Sequence, residues 1–560
     1  MILRFAQLLK KFRWWILLPV VAIGLFSFRP VDDNYFELSR NLDIFTTLVR
    51  ELTIYYVDPT DPEVMIHDGI DAMLETLDPY TTYIPESEAD DYRFMTTGQY
   101  GGIGALIGQR ENDVIITDPY EGYPAQKSGL RAGDIIRSID GKQLKGHPYD
   151  EVSKMLKGQP HTPLTIVVDR PGETQSLTKI VMREEIQIKN VPYYGVVKNN
   201  IGYIRLSSFT DNAGLEVKQA VLDLTTKQKV KGIILDLRGN PGGLLNEAVN
   251  IVNVFVEKGQ EVVSTRGKVK EWDKSYHAMN TAVDTQTPLT VLVNSSSASA
   301  SEIVSGSLQD FDRAIIIGQR TFGKGLVQTT RPLPYNTQLK VTTAKYYIPS
   351  GRCIQALDYT HRNADGSVGK VPDSLMHEFK TKKGRKVFDG GGIAPDFTTE
   401  IPLYSSIAVS IVNKYLIFDY ATEFQIKHPV IASAKEFKLT DSDYEDFMKW
   451  LSTREYDYVT DSEHKLEDLK KKAEKEHYFE TIKTDYDALK KKLAHDKNAD
   501  LKTHKEEIIN LLENEIVSRY YYQNGRIEND FSSDPDIKVA LKALEDPSVY
   551  TAIYNRTFKQ

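Results

Sequence analysis

Apolar residues recur at spacings of three and four at Leu38, Leu42, Phe45, Leu48, Leu52 and Tyr55, which predicts a helix starting near Asn34. Asp58-Pro59 and Asp61-Pro62 break the pattern. A second helix is expected over 63–77, ended by Asp78-Pro79. Past Gly98 the texture changes to short strand-like runs, 114–116 and 164–168, between glycine-bearing turns. From about Ile186 buried strands alternate with apolar-periodic helices. Strands are expected at 231–237, 289–293 and 314–317, and helices at 244–256 and from a Ser/Ala run to about Asp310. That succession implies an α/β core. From about Pro402 the chain reads as mostly helical. Within it, 461–507 is dense in both signs of charge, with a thin apolar stripe at Leu466, Leu469, Ala473, Ile482, Leu489 and Leu493. A solvated helical hairpin is expected there; the alternative is an arm that binds a partner or a second copy. Four regions follow, 34–97, 98–185, 186–401 and 402–560.

The N-terminus carries Arg4, Lys10, Lys11 and Arg13, then an apolar stretch over 14–28 closed by Arg29-Pro30. This is the pattern of an export signal over residues 1–30. The stretch is short for a spanning helix, which needs about 20 residues. No small-x-small cleavage site follows it. An uncleaved signal anchor is expected, holding the chain at the inner membrane with its bulk in the periplasm or otherwise outside the cytoplasm. Cleavage is the alternative.

Composition narrows the function classes. The 560 residues include 70 basic and 78 acidic ones, a net charge of −8, so no basic excess advertises nucleic acid. Hydrophobic residues at 41% and charged residues at 26% are ordinary for a folded soluble protein. The one cysteine, Cys353, excludes an internal disulfide and a multi-cysteine zinc site, and no base is tied to it by motif, so it reads as a packed thiol. No HExxH pair and no G-x-S-x-G elbow is present, and no cofactor or metal is expected.

Between the strand-like runs lie Pro124-Ala125, Gly129-Leu130, Gly133-Asp134-Ile135-Ile136 and Ile139-Asp140-Gly141. In this order they resemble the signature of PDZ domains. Upstream, Gly101, Gly102, Ile103 and Gly104 resemble the PDZ loop that receives a chain terminus. The chemistry suits that role: small consecutive residues let backbone N–H groups converge on a carboxylate, and the following strand edge pairs with an extended peptide.

Two further motifs carry chemistry. Ser295-Ser296-Ser297-Ala298-Ser299-Ala300-Ser301-Glu302 stands between a buried strand and a helix. Small residues admit a substrate backbone, and a serine at the helix start meets free N–H groups suited to an oxyanion. An N-cap cluster with a glutamate in the first turn explains the same residues. Phe322-Gly323-Lys324-Gly325 follows the next strand. Gly318 to Lys324 matches part of a phosphate-binding loop, but Gly325 stands where a Ser/Thr would hold magnesium and no helix opens after it. The other reading is Lys324 as a buried neutral amine that deprotonates a serine.

Together with Asp236-Leu237-Arg238-Gly239-Asn240-Pro241-Gly242-Gly243 and the later Gly391-Gly392-Ile393-Ala394-Pro395-Asp396, these pieces resemble the carboxyl-terminal processing peptidases, or tail-specific proteases, from about Asn34 to Ile401. The resemblance implies a crotonase-like ββα protease core with an inserted PDZ domain, a helical N-terminal region and a helical C-terminal domain. It implies Ser299 as nucleophile, Lys324 as general base and Gln328 orienting that lysine. The oxyanion hole would use the N–H of Ala300 and of Gly242 or Gly243. Protein or peptide substrates with free C-termini would bind through the PDZ domain, and the helical regions could support a homo-oligomer. The alternative function is a catalytically silent PDZ scaffold or adaptor. No counterpart of 402–560 exists in the smallest members of the family, which leaves its role open.

Overall fold

The computed structural model describes residues 33–363, 365–401, 403–493 and 497–557. The expected signal anchor over 1–30 lies outside the described residues. Among the described residues, no helix is long and apolar enough to cross a membrane. The chain divides into two units, 1–83 and 84–560. In the first, the helices Asp33–Tyr55 and Pro62–Glu75 match the expected pair. Asp61 caps the second by accepting the Glu63 N–H at 2.9 Å, with Pro62 at the first helical position. Leu38, Leu42 and Leu48 stay exposed. The helix Ala89–Thr97 belongs to the second unit, so the expected helical region 34–97 is split. The reason is packing: Phe94 sets its ring edge-on to Tyr100, 5.3 Å away, at the start of the next region.

The second unit is built on a six-stranded sheet ordered Tyr193–Val196, Ile201–Arg205, Gly232–Asp236, Leu289–Val293, Ile315–Gly318 and Phe397–Thr398. The first pair is antiparallel and the rest are parallel. Parallel strands joined by helices are buried on both faces, which explains why they read as unbroken apolar runs. Alternate residues serve opposite faces. Ile204, Ile233, Leu235, Val291, Val293 and Ile316 pack under the helices Ala213–Leu222, Leu245–Phe255 and Ala300–Asp310. Tyr203, Ile234, Leu292, Ile315 and Ile317 face the other way and are covered by Ile537, Ala540, Leu541 and Leu544 of the helix Pro535–Glu545 and Ile553 of Pro547–Tyr554. The C-terminal region therefore completes the core of this sheet.

Two smaller parts position the site. The strand Gln338–Tyr347 pairs with Leu326–Pro332 on one side and Glu261–Gly267 on the other. The loop that holds Lys324 leads directly into Leu326–Pro332. Residues 98–187 form a five-stranded antiparallel path, Ala105–Arg110, Asp113–Pro119, Ile135–Ile139, Pro163–Asp169 and Leu177–Met182, with the helix Tyr149–Leu156 packed on it. Ile116, Val152, Ile166 and Val168 are fully buried at its centre. Beyond residue 402, the helices Leu416–Lys427, Asp441–Leu451 and Lys505–Asp530 share a core of Tyr420, Phe447 and Ile516. The charge-dense stretch forms the expected hairpin, Asp461–Lys475 and Phe479–Leu493.

Candidate active site

Ser299 stands where the sheet strand Leu289–Val293 turns into the helix Ala300–Asp310. It is the N-cap of that helix, with φ 53° and ψ −112°, a backbone region that a residue with a Cβ adopts only under strain. Glu302 sits at N3. The run forms the helix cap that one reading expected, with Ser299 as the capping residue.

Glu302 does more than cap. Fully buried, it accepts the Ser299 N–H at 2.8 Å, the Lys324 N–H at 2.9 Å, the Gly323 N–H at 2.8 Å and the Thr321 hydroxyl at 2.5 Å. Burial pushes its pKa up to about 7, against the pull of these donors. Tyr346, also fully buried, reaches the Lys324 carbonyl at 2.6 Å and the Ser299 carbonyl at 3.1 Å. One carboxylate and one phenol thus tie the N–H and C=O groups of Ser299 and Lys324 into a single bracket.

Ser299, Ala300, Lys324, Gln328, Gly242 and Gly243 all line one cavity of about 560 Å³. Lys324 is half-buried where full burial was expected. Gln328 donates its side-chain amide to the Thr342 hydroxyl at 3.1 Å. The turn before Gly242 is fixed from below. Buried Asp236 accepts from the Arg238 N–H at 2.9 Å and pairs with Arg205 and Arg238 at 2.8 and 2.7 Å. Burial alone would raise the Asp236 pKa, but the two guanidinium groups hold it well below the carboxylate range. Arg238 also reaches Asp534 and Asp536 at 2.7 and 2.9 Å, so the C-terminal helices brace this turn.

The two glycines differ. The Gly242 N–H donates to Asn240 Oδ1 at 2.9 Å, whereas the N–H groups of Gly243 and Ala300 meet no acceptor among the described residues. Gly242 is instead required by close approach: a Cβ there would lie 2.8 Å from the Ala300 nitrogen and 2.9 Å from Ser299 Cβ.

Residues that the motifs did not reveal also line the cavity. Phe94 and Met95 of the helix Ala89–Thr97 form part of its wall, and Tyr92 hydrogen-bonds Thr330. Lys340 lines it too; burial lowers its pKa, and it meets no carboxylate among the described residues. Cys353 is a part-buried thiol whose pKa burial raises, as expected for a packed residue.

The loop at 101–104 is a second candidate site. Gly101 and Gly102 belong to a strand pair, Gln99–Gly102 with Glu184–Gln187. Ile103 and Gly104 are buried, their carbonyls accept from Ala125 and Tyr120, and their N–H groups meet no acceptor among the described residues. Two adjacent buried N–H groups without partners are rare in a closed fold and suit an anion.

Family models described as a PDZ domain, peptidase family S41 and a probable PDZ-protease C-terminal helical domain match residues 101–170, 200–362 and 407–544. A carboxy-terminal-processing protease of Bartonella bacilliformis is 40% identical over 332 residues, 59% of this chain and 75% of that protein. The chain belongs to this family of serine proteases. A probable CtpA-like serine protease of Staphylococcus aureus is 33% identical over 390 residues, 69% of this chain and 76% of that one. Among solved structures, a photosystem II D1 C-terminal processing protease is 30% identical, spans 63% of this chain and 86% of its own, and has a TM-score of 0.36. The match at 407–544 gives the family context for the helices that the motif resemblance left open.

Proposed function

We propose that this protease cleaves proteins by a Ser299/Lys324 acyl-enzyme mechanism and selects them by their C-terminal tails. Lys324 takes the Ser299 hydroxyl proton as Oγ attacks the scissile carbonyl. The negative oxygen is received by the N–H groups of Gly243 and Ala300. Lys324 then gives its proton to the leaving amine, and a water, deprotonated in turn by Lys324, hydrolyses the ester on Ser299. Glu302 and Tyr346 position the pair through its backbone, and Gln328, which lines the same cavity, orients the lysine. The observation that carries this reading is the shared bracket: Ser299 and Lys324 are held by the same carboxylate and phenol and open into the same cavity as two unengaged N–H groups. Tail selection rests on the N–H groups of Ile103 and Gly104 beside an open strand edge. The basic and apolar run over 1–30 supports an export route that places these domains outside the cytoplasm.

An unfolded protein is offered with a free apolar C-terminal tail and with the same tail amidated. The reading expects faster cleavage of the free-tail form, and loss of cleavage in Ser299→Ala. Equal rates for the two tails would remove tail selection; retained cleavage in Ser299→Ala would remove the nucleophile.

A further inference from the structure

The tail groove runs along the strand Ala105–Arg110, the outermost strand of its sheet, which pairs only with Asp113–Pro119 among the described residues. Its open edge can be read from the hydrogen bonds of its neighbour. Ile116 sends its N–H to the Asp134 carbonyl and receives the Gly133 N–H, so both its groups face away from the groove strand. Ile107 stands opposite Ile116, so its own N–H and C=O face the open side. Gln109, two residues on, faces the same way. At the other end the Gly104 carbonyl accepts the Tyr120 N–H, which turns Ala105 outward across the irregularity between Leu106 and Ile107. Ala105, Ile107 and Gln109 therefore carry the open ladder, starting beside the N–H groups of Ile103 and Gly104.

The carbonyl of the third rung is already taken. Tyr415, from the C-terminal helical domain, donates its hydroxyl to the Gln109 carbonyl at 3.3 Å. A Cβ on Gly108 would lie 3.4 Å from that hydroxyl. The adjacent Arg110 makes a two-pronged pair with Asp419, both contacts at 2.8 Å, and its guanidinium lies 5.7 Å from the Tyr415 ring centre. Tyr415 reaches this place in a left-handed conformation, φ 60° and ψ 17°, at the N-cap of Leu416–Lys427. A bulky aromatic residue adopts that geometry only where its surroundings enforce it.

We propose that Tyr415 closes the far end of the groove, so that a substrate tail pairs only with Ala105 and Ile107 and is read over about four residues, two per open rung. Upstream residues must leave the strand edge at Gln109. The C-terminal domain would thereby set the length of tail that counts toward recognition. This inference rests on the proposed tail selection by the 101–104 loop.

The test uses the full chain carrying Ser299→Ala and peptides of three, four, six and eight residues ending in one common sequence, with free or amidated C-termini, read by fluorescence anisotropy. The chain with Tyr415 intact is expected to gain affinity up to four residues and stay within twofold beyond. Tyr415→Gly, which suits the left-handed cap, is expected to bind the six-residue peptide about fivefold more tightly than the four-residue one, the gain of one further cross-strand step. Tyr415→Phe, which frees the Gln109 carbonyl but keeps the ring, falls between. A series that keeps gaining past four residues with Tyr415 intact, or an unchanged flat series in Tyr415→Gly, overturns the proposal while carboxylate-dependent binding stands. Equal binding of amidated peptides, or none of any peptide, overturns tail selection and this inference with it.

Discussion

Ser299 stands in a strained backbone conformation, and the cost is measurable. Its φ of 53° and ψ of −112° place Cβ against its own backbone, a conformation worth roughly 1–3 kcal/mol of strain. Glu302 on its N–H at 2.8 Å and Tyr346 on its carbonyl at 3.1 Å hold it there. Glycine at this position removes the clash but loses more chain entropy on folding, roughly 0.5–1 kcal/mol. Ser299→Gly is therefore expected to be more stable than Ser299→Ala by about 1 kcal/mol, since alanine keeps the Cβ and the strain. Both variants lack the hydroxyl and should be inactive. The two differ in nothing but Cβ, so their urea unfolding midpoints, measured side by side with the slope checked for equality, isolate the strain. A glycine variant no more stable than the alanine variant would refute the claim that the fold stores strain at Ser299.

Other consequences follow from neighbouring groups. Gly242→Ala places a methyl 2.8 Å from the Ala300 nitrogen, and kcat is expected to fall about 10²–10³-fold, the cost of losing one oxyanion donor, with folding intact by circular dichroism. Glu302, with its pKa raised from 4.5 to about 7, holds a proton in the native state that the unfolded chain has lost, so stability falls as pH rises across that window, by up to about 3 kcal/mol. Activity should run the other way, because acidification puts a proton on a carboxylate surrounded by donors, so opposite slopes of stability and kcat between pH 5 and 7 are the signature to seek. A chain ending at Asp534 bares Tyr203, Ile234, Leu292, Ile315 and Ile317, each worth about 1.5–3 kcal/mol, and is expected to be insoluble on expression. Lys340→Gln should lower kcat/KM about tenfold for a peptide with glutamate near the scissile bond and leave the glutamine analogue within twofold, as read in paired competition assays.

The core elements were legible because apolar periodicity is a local property. The expected strand at 231–237 is Gly232–Asp236, and the expected helix at 244–256 is Leu245–Phe255. Ser299, Lys324 and the two glycines were marked by runs of small residues and do meet in one cavity. Glu302 was visible only as a capping residue, since its hold on Gly323 and Lys324 spans more than twenty residues of chain. Tyr346 lies inside a β-strand where nothing local separates it from any core aromatic. The apolar face of Pro535–Glu545 announced a helix but not the sheet it covers, because a hydrophobic surface carries no address. That the Gly242 N–H is engaged and the Gly243 N–H is not depends on the position of the Asn240 side chain, which no spacing encodes.

The central claim is that Ser299 and Lys324 act as one catalytic pair. Its most direct test is digestion of an unfolded, tailed protein by wild type, Ser299→Ala and Lys324→Ala at equal concentration, followed by gel and by mass of the products. The account predicts cleavage by wild type alone, with both variants folded and slower by at least about 10³-fold. Cleavage at comparable rates by either variant would contradict it.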